Sequence, residues 1–280
     1  MTAKLFTATG CHRCEIVKTV LKKEGINYEE WNIREEGKDV FKTFYKENRK
    51  QIFRSKDGVE FPVLEKEGGI YQGLGPILAF AMDKNLLFHG FVTRAQADPG
   101  WVNGLSLVPA ECDILESFFD LMARLTAHGL KTRVVTHGNH PGFLERLLDR
   151  GYITQLDFQL LGPTPVYPRI TGKPIPPKDL EQSLALLPKA KDYTLILPIS
   201  PIREADGTLR YRTPEEAGEA AALAAEATGS KTHPFVIRPL APAKGSELPP
   251  LESKDFFKYR TATRRHMVKS EIEKPENGIS

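Results

Sequence analysis

Apolar positions in the first 85 residues follow spacings that switch between those of strands and those of helices. Residues 4–7 predict a strand, and apolar residues at 14, 17, 20 and 21 predict a helix that begins at Cys11 and ends near Gly25. The remaining elements predicted in this part are strands at 28–33, 61–64 and 69–72 and helices at 37–48 and 75–81. The order is β-α-β-α-β-β-α, which indicates a small mixed α/β domain.

From residue 102 the pattern changes to strands separated by helices of about 10–15 residues, which is typical of right-handed β-α-β units and a parallel sheet. About five such units fit, so we predict a partial (β/α) barrel or an open sheet rather than a closed eight-stranded barrel. The predicted strands are 102–108, 133–136, 153–161, 193–199 and 235–237, and the predicted helices begin near 113, 142, 179 and 214. Residues 88–100 are predicted to be a linker or a shortened first strand.

The chain is therefore predicted to have three parts: residues 1–88, 89–250 and 251–280. Residues 241–250 are rich in Pro, Gly and Ser and are predicted to be a linker. Residues 254–269 mix aromatic and basic side chains. They are predicted to form a terminal helix packed on the body, or alternatively a basic docking segment.

Composition narrows the classes of function. The formal net charge of +3 over 280 residues is too small to indicate a nucleic-acid partner or a membrane surface. No apolar stretch approaches the roughly 20 residues that span a bilayer, and no signal-peptide pattern opens the chain. Three cysteines, two of them in one motif, do not make a disulfide framework, so we predict a reducing, cytoplasmic compartment.

The motif Cys11-His12-Arg13-Cys14 falls where the first strand passes into the first helix. Unpaired N–H groups and the dipole at a helix N-terminus favour a thiolate, and Arg13 adds positive charge. We therefore predict that Cys11 attacks a disulfide and that Cys14, one turn later, resolves the mixed disulfide. A CxxC can also be half of a zinc or iron–sulfur site, but such sites need about four ligands. Only Cys112 and scattered histidines remain, so we predict no metal and no cofactor.

Three short stretches of the first part resemble one family. The CxxC motif, Phe-Pro-Val at 61–63 and Tyr-Gln-Gly-Leu-Gly-Pro at 71–76 resemble glutaredoxins, especially the small redoxin that serves ribonucleotide reductase. The resemblance implies a thioredoxin-like domain over residues 3–85 and a cis peptide bond before Pro62. A cis Pro62 would expose backbone groups of Phe61 to an incoming strand.

The same resemblance implies that Arg13, Phe61, Pro62 and Gly73 bind the substrate. The lysine that glutaredoxins carry before the first cysteine is replaced here by Ala8-Thr9, and their Asp-rich run is replaced by residues 74–76. Both features bind glutathione, so we expect a protein disulfide as the substrate. A donor of the thioredoxin-reductase type is favoured over glutathione, and the implied partner is a ribonucleotide reductase or another radical enzyme.

Residues 102–242 resemble radical S-adenosylmethionine activating enzymes, of the kind that activate pyruvate formate-lyase or anaerobic ribonucleotide reductase. The resemblance is carried by the order of elements and by four short matches, at 102–111, at 135–138, at 157–159 with 170–172, and at 195–198 with 238–240. The three cluster cysteines of that family, spaced CxxxCxxC, are absent from the sequence. Without them no [4Fe–4S] cluster is held at the usual place, so we predict a degenerate relative without the radical reaction.

Polar residues at the predicted carboxyl ends of these strands form a candidate rim, because ligands of parallel α/β sheets bind there. The candidate rim residues are Glu111, Thr136, His137, Asp157 and Arg238. His137 and His140 could share a metal, although a turn of this kind is more often a solvated loop. Cys112 is predicted to be a small buried hydrophobe or a disulfide partner of the CxxC motif.

Two functions of different classes follow. The first is a thiol–disulfide oxidoreductase, with the barrel-like part supplying a partner or ligand site. The second is a non-enzymatic, redox-sensing binding or regulatory protein, whose rim binds a nucleotide-like ligand or a protein partner. Turnover that depends on Cys11 distinguishes the two.

Overall fold

The computed structural model describes residues 2–55, 58–82, 92–97, 104–109, 115–242 and 245–273. The chain divides into two compact units, residues 1–134 and 135–280. Within the described ranges, no helix combines the length and the apolar character that crossing a bilayer requires.

The first unit begins with a mixed four-stranded sheet and three helices. The elements are β1 (Ala3–Thr7), α1 (His12–Lys23), β2 (Tyr28–Asn32), α2 (Gly37–Glu47), β3 (Arg54–Ser55), β4 (Gly58–Val59), β5 (Val63–Lys66), β6 (Gly69–Gln72) and α3 (Leu74–Met82). The sheet order is β2-β1-β5-β6, with β1 parallel to β2 and antiparallel to β5, which in turn is antiparallel to β6. This is the thioredoxin-like arrangement that the sequence predicts.

The core of this domain lies on both faces of β1, because successive side chains of a strand point to opposite faces. Phe6 is fully buried and packs against Phe44 and Phe41 of α2, with ring centroids 4.7 and 5.1 Å away. Leu5, also fully buried, points to the opposite face. The buried side of α1 is the one that the spacing predicts, formed by Cys14, Val17, Val20 and Leu21.

Three further elements and the start of a fourth complete the first unit: β7 (Val92–Ala97), β8 (Gly104–Pro109), α4 (Leu115–Ala127) and the first four residues of β9 (Lys131–Thr136). Strand β8 is parallel to β9, but β7 is antiparallel to β8. The segment predicted as a linker or shortened strand thus contains a strand of reversed direction. Within this unit His128 Nε2 lies 3.3 Å from Glu24 Oε1, so the turn directly after α4 contacts the thioredoxin-like domain. The boundary at residues 88 and 89 stays a prediction.

The second unit alternates strands and helices. Its elements are α5 (Pro141–Asp149), β10 (Gln155–Gln159), α6 (Tyr167–Thr171), α7 (Pro177–Ala185), β11 (Tyr193–Ile199), β12 (Pro201–Arg203), β13 (Leu209–Tyr211), α8 (Pro214–Thr228), β14 (Phe235–Pro239), α9 (Phe256–Arg264) and β15 (Ser270–Ile272). Strands β10 and β11, β11 and β14, and β14 and β15 pair in parallel. Parallel strands joined through helices confirm the predicted partial (β/α) barrel.

Residues 251–280 are predicted to form a helix and a tail. In the described part of this segment the structure has a helix, α9, and a strand, β15. Helix α9 packs against α8, with Phe256 and Tyr259 buried. Strand β15 then pairs with β14, and Ser270 lies opposite Phe235. The prediction that residues 235–237 form the last strand is therefore wrong. A three-residue strand offers too short a run for periodicity to detect.

Candidate redox site

The turn between β1 and α1 places both cysteines of the motif at the start of a helix. Gly10 has a positive φ of +77°, which a glycine adopts without strain, and Cys11 is the N-cap of α1. Cys11 and Cys14 form a disulfide, with their Cα atoms 5.3 Å apart. The sulfur of Cys11 accepts a hydrogen bond from Cys14 N at 3.2 Å, so it lies among the N–H groups that favour a thiolate.

The two sulfurs differ in exposure. Cys14 is 1% exposed, whereas Cys11 is only half-buried. A bulky disulfide from outside can approach Cys11, and Cys14 is accessible to a sulfur already attached to Cys11. The roles of attacking and resolving cysteine stay a prediction.

The segment before β5 lies directly against the motif. The Phe61–Pro62 peptide bond is cis, as the resemblance implies. Phe61 O is 4.0 Å from Cys11 Sγ, and Gly73 N donates to Pro62 O at 2.8 Å. The structure therefore brings Phe61, Pro62 and Gly73 together beside the cysteines, although their role in binding substrate stays a prediction.

The side chain of Gln72 holds this segment in place. Gln72 Oε1 accepts from Phe53 N, while Nε2 donates to Phe53 O, both at 2.8 Å, and to Glu60 O at 3.2 Å. These bonds fix both ends of the hairpin β3–β4, which the sequence pattern did not predict. Gln72, at the end of β6, thus fixes the backbone that leads into Phe61.

Sequence reasoning missed Glu60. Its Oε1 accepts a hydrogen bond from Arg13 Nη1 at 3.1 Å, forming an ion pair within the CxxC region. A Cβ added at Gly73 would lie 3.3 Å from the same carboxylate oxygen, so glycine leaves room for it. Arg13 and Glu60 are 47 residues apart, and no local spacing signals such a pair.

Three aromatic side chains belong to the segment that lies against the motif or pack on it. Phe61 packs edge-on against Phe41, with ring centroids 5.0 Å apart, and both are half-buried. Phe53, at the start of the hairpin, is 70% exposed. Partly exposed aromatic side chains are suited to contact with another protein.

At the candidate rim, the loop after β9 is anchored by buried groups. Thr136 Oγ1 accepts from Gly138 N at 3.2 Å, and His137 O accepts from the hydroxyl of Tyr167 at 3.3 Å. Burial raises the pKa of Tyr167, which keeps its hydroxyl protonated and able to donate. Ser183 Oγ donates to Gly138 O at 2.7 Å. Backbone groups of this loop therefore serve the fold, while its ligand role stays a prediction.

Two of the other rim candidates, Asp157 and Arg238, interact with neighbouring side chains. Asp157 is buried, and its Oδ1 accepts from Gln155 Nε2 at 3.3 Å. Arg238 forms a bidentate ion pair with Glu273, at 2.6 and 2.9 Å. Glu111, like Cys112, lies outside the described residues. Within the described ranges, no three His, Cys, Asp or Glu side chains form a group that could hold a metal.

Sequence reasoning also missed Arg212, which is fully buried. Its guanidinium donates to the carbonyls of Leu161 and Pro198. These carbonyls lie at the carboxyl ends of β10 and β11. Burial lowers the pKa of Arg212 to about 10. The side chain thus joins two neighbouring strand ends from inside the unit.

Comparison with known proteins finds no matching family model and no matching curated protein. Among solved structures, the chain is similar to the glutaredoxin-like NrdH-redoxin from Escherichia coli, with 22% identity over 27% of this chain and 87% of that chain and a TM-score of 0.21. It is also similar to a domain of pyruvate-formate lyase-activating enzyme from Bacteroides vulgatus, with 13% identity over 60% of this chain and 98% of that chain and a TM-score of 0.41. These values identify neither a family nor a function, and the fold assignment above rests on strand order.

Proposed function

We propose that this protein is a dithiol–disulfide oxidoreductase that reduces disulfides of other proteins. The observation that carries the proposal is the asymmetry of the Cys11–Cys14 disulfide. The half-buried sulfur of Cys11 caps a helix N-terminus, while Cys14 is buried one turn behind it. A nucleophile that must meet a foreign disulfide needs access and a stabilised thiolate, and the position of Cys11 at a helix N-terminus, with partial exposure, supports both.

The reaction moves two electrons from the protein to its partner. The Cys11 thiolate forms a bond to one partner sulfur, the partner's S–S bond breaks, and the second partner sulfur leaves as a thiolate that takes up a proton. The Cys14 thiolate then attacks the Cys11 sulfur, which releases the first partner sulfur as a thiol. The partner ends as a dithiol and this protein as the Cys11–Cys14 disulfide.

A reducing donor must regenerate the dithiol. The glutathione-binding features of glutaredoxins are replaced at residues 8–9 and 74–76, so we assign this role to a flavoprotein of the thioredoxin-reductase type. By the sequence resemblance, the partner is a ribonucleotide reductase or another radical enzyme in the cytoplasm. The barrel-like part contributes partner or ligand binding, without a cluster or radical step of its own.

A turnover assay tests the proposal. Reduction of a protein disulfide such as that of insulin is measured with NADPH and thioredoxin reductase, and separately with glutathione and glutathione reductase. We expect turnover with the first system that is lost in Cys11→Ser and Cys14→Ser, whereas Cys112→Ser, a cysteine outside the motif, retains it. Absence of turnover with both systems from correctly folded protein would contradict the proposal and favour a binding function.

A further inference from the structure

We propose that Glu60 sets the reduction potential of the Cys11–Cys14 pair by neutralising Arg13. The inference rests on the proposed function, because it explains how a motif with a cation at its centre remains a strong reductant. Glu60 is a positioning residue in this account, acting on the sulfurs through the guanidinium of Arg13.

The ion pair lies within the redox site. Arg13 is one of the two residues between the cysteines, and its Nη1 is 3.1 Å from Glu60 Oε1. Glu60 directly precedes Phe61, whose carbonyl oxygen is 4.0 Å from Cys11 Sγ. The ion pair therefore joins a residue of the motif to the residue before Phe61, whose carbonyl oxygen lies beside the sulfur that carries charge in the reduced state.

The backbone holds Glu60 where this pairing is possible. Its carbonyl accepts from Gln72 Nε2 at 3.2 Å, and the absence of a side chain at Gly73 leaves space beside its carboxylate. The side chain of Arg13 is 27% exposed and that of Glu60 is 46% exposed, so water screens the pair in part. We therefore expect an effect on the potential of modest size and definite sign.

The sign follows from the charges of the two redox states. The disulfide is neutral, whereas the reduced form carries a thiolate on Cys11, so a nearby cation stabilises the reduced form and raises the potential. Glu60 offsets that cation and lowers the potential, which makes the dithiol a better electron donor.

Other charged groups nearby are the same in every variant compared. On α1 these are His12 and Glu15, the latter paired with Lys18 at 2.7 Å. In the turn after β2, Glu35 accepts hydrogen bonds from Thr9 and from Asn32, at 3.2 and 3.0 Å. Differences between variants therefore report on Arg13 and Glu60.

The test measures the thiol–disulfide equilibrium of the full chain against dithiothreitol at fixed pH. We expect Glu60→Gln to shift the equilibrium toward the dithiol by about threefold, equivalent to a potential about 14 mV higher. Arg13→Gln is expected to shift it in the opposite direction. Glu65→Gln, which removes a carboxylate 3.9 Å from Lys4 on the neighbouring strand, is the matched control and leaves the potential unchanged.

Two further variants exclude a purely structural effect. Glu60→Gln made in the Arg13→Gln background is expected to have a smaller effect, because only the direct field of the Glu60 carboxylate on Cys11 is then removed and no guanidinium is released. Glu60→Asp, which keeps the charge, is expected to restore part of the wild-type potential. An unchanged potential in Glu60→Gln, or an equal shift in both backgrounds, would overturn the inference. The measurement needs no protein substrate, so loss of turnover with these shifts intact would contradict only the proposed function.

Discussion

Replacing Gly138 by alanine tests whether the loop after β9 is packed as the structure shows. Gly138 has a φ of +82°, and a Cβ there would lie 2.4 Å from Cζ of Phe158 and 3.2 Å from Cδ1 of Leu180. Phe158 and Leu180 are both fully buried. Gly229→Ala is the control, since Gly229 has a φ of +67° at the end of α8 and no atom within 4 Å of its Cβ position.

The two substitutions share one energetic cost and differ in another. A left-handed backbone costs an alanine about 1–2 kcal/mol at either position. At Gly138 the ring of Phe158 must also move by about 1 Å within a packed core, and such overpacking costs about 1–3 kcal/mol. We therefore expect Gly138→Ala to lower the free energy of unfolding by about 2 kcal/mol more than Gly229→Ala.

Thermal unfolding followed by circular dichroism measures this difference. For a unit of this size, about 2 kcal/mol corresponds to a difference in Tm of about 4–8 °C. Hydrogen exchange shows where stability is lost. We expect faster exchange in peptides from β10 and α7 of Gly138→Ala, because Phe158 and Leu180 belong to these elements. Equal Tm values for the two variants would refute the packing described for this loop.

Two further predictions concern the stability of the two units. Phe6→Ala is expected to destabilise the first unit by about 3–5 kcal/mol, because Phe6 is fully buried. Phe53→Ala, at a site 70% exposed, is expected to change stability by less than about 0.5 kcal/mol, and urea unfolding compares the two. In the second unit, hydrogen bonds from Arg210 lower the pKa of Glu216 below 4.5. This contribution to stability is present above pH 4.5 and is lost as the pH falls through the lowered pKa. Glu216→Gln should therefore reduce the loss of stability on acidification, and urea midpoints at pH 7 and pH 4 check this; an unchanged acid response would contradict it.

Local sequence signals predicted much of the fold. The buried face of α1 followed from the spacing of its apolar residues. The helix predicted to begin near 214 is α8, and Thr213 caps it: its Oγ1 accepts from Glu216 N, and Glu216 Oε2 accepts from Thr213 N. Both signals lie within a few residues of one another, so the sequence carries them directly.

Features that join distant parts of the chain were not predictable in this way. Strand β15 has three residues, and its pairing with β14 depends on where α9 ends. Arg212 resembles a solvent-exposed polar residue in sequence, and its burial depends on carbonyls 14 and 51 residues away. Such contacts arise from tertiary packing, which a single sequence does not encode in any short pattern.

The candidate redox site likewise combines features that the sequence predicted with features that it did not. The cysteine pair and the Phe61–Pro62 segment were predicted from the motif and the resemblance. The Gln72 contacts and the Arg13–Glu60 ion pair were not, because they join residues that are 12 to 47 positions apart in the chain. The sequence therefore indicated the thiol chemistry of the site but not the contacts that surround the cysteines.

Trapping of the mixed disulfide shows whether Cys11 attacks and Cys14 resolves. Reduced Cys14→Ser and Cys11→Ser proteins are each mixed with a disulfide-containing protein, and covalent adducts are identified by mass spectrometry under non-reducing conditions. We expect a stable adduct through Cys11 in Cys14→Ser and none in Cys11→Ser, since buried Cys14 is shielded from an external disulfide. An adduct through Cys14 in Cys11→Ser, or no adduct in either variant, would contradict this expectation.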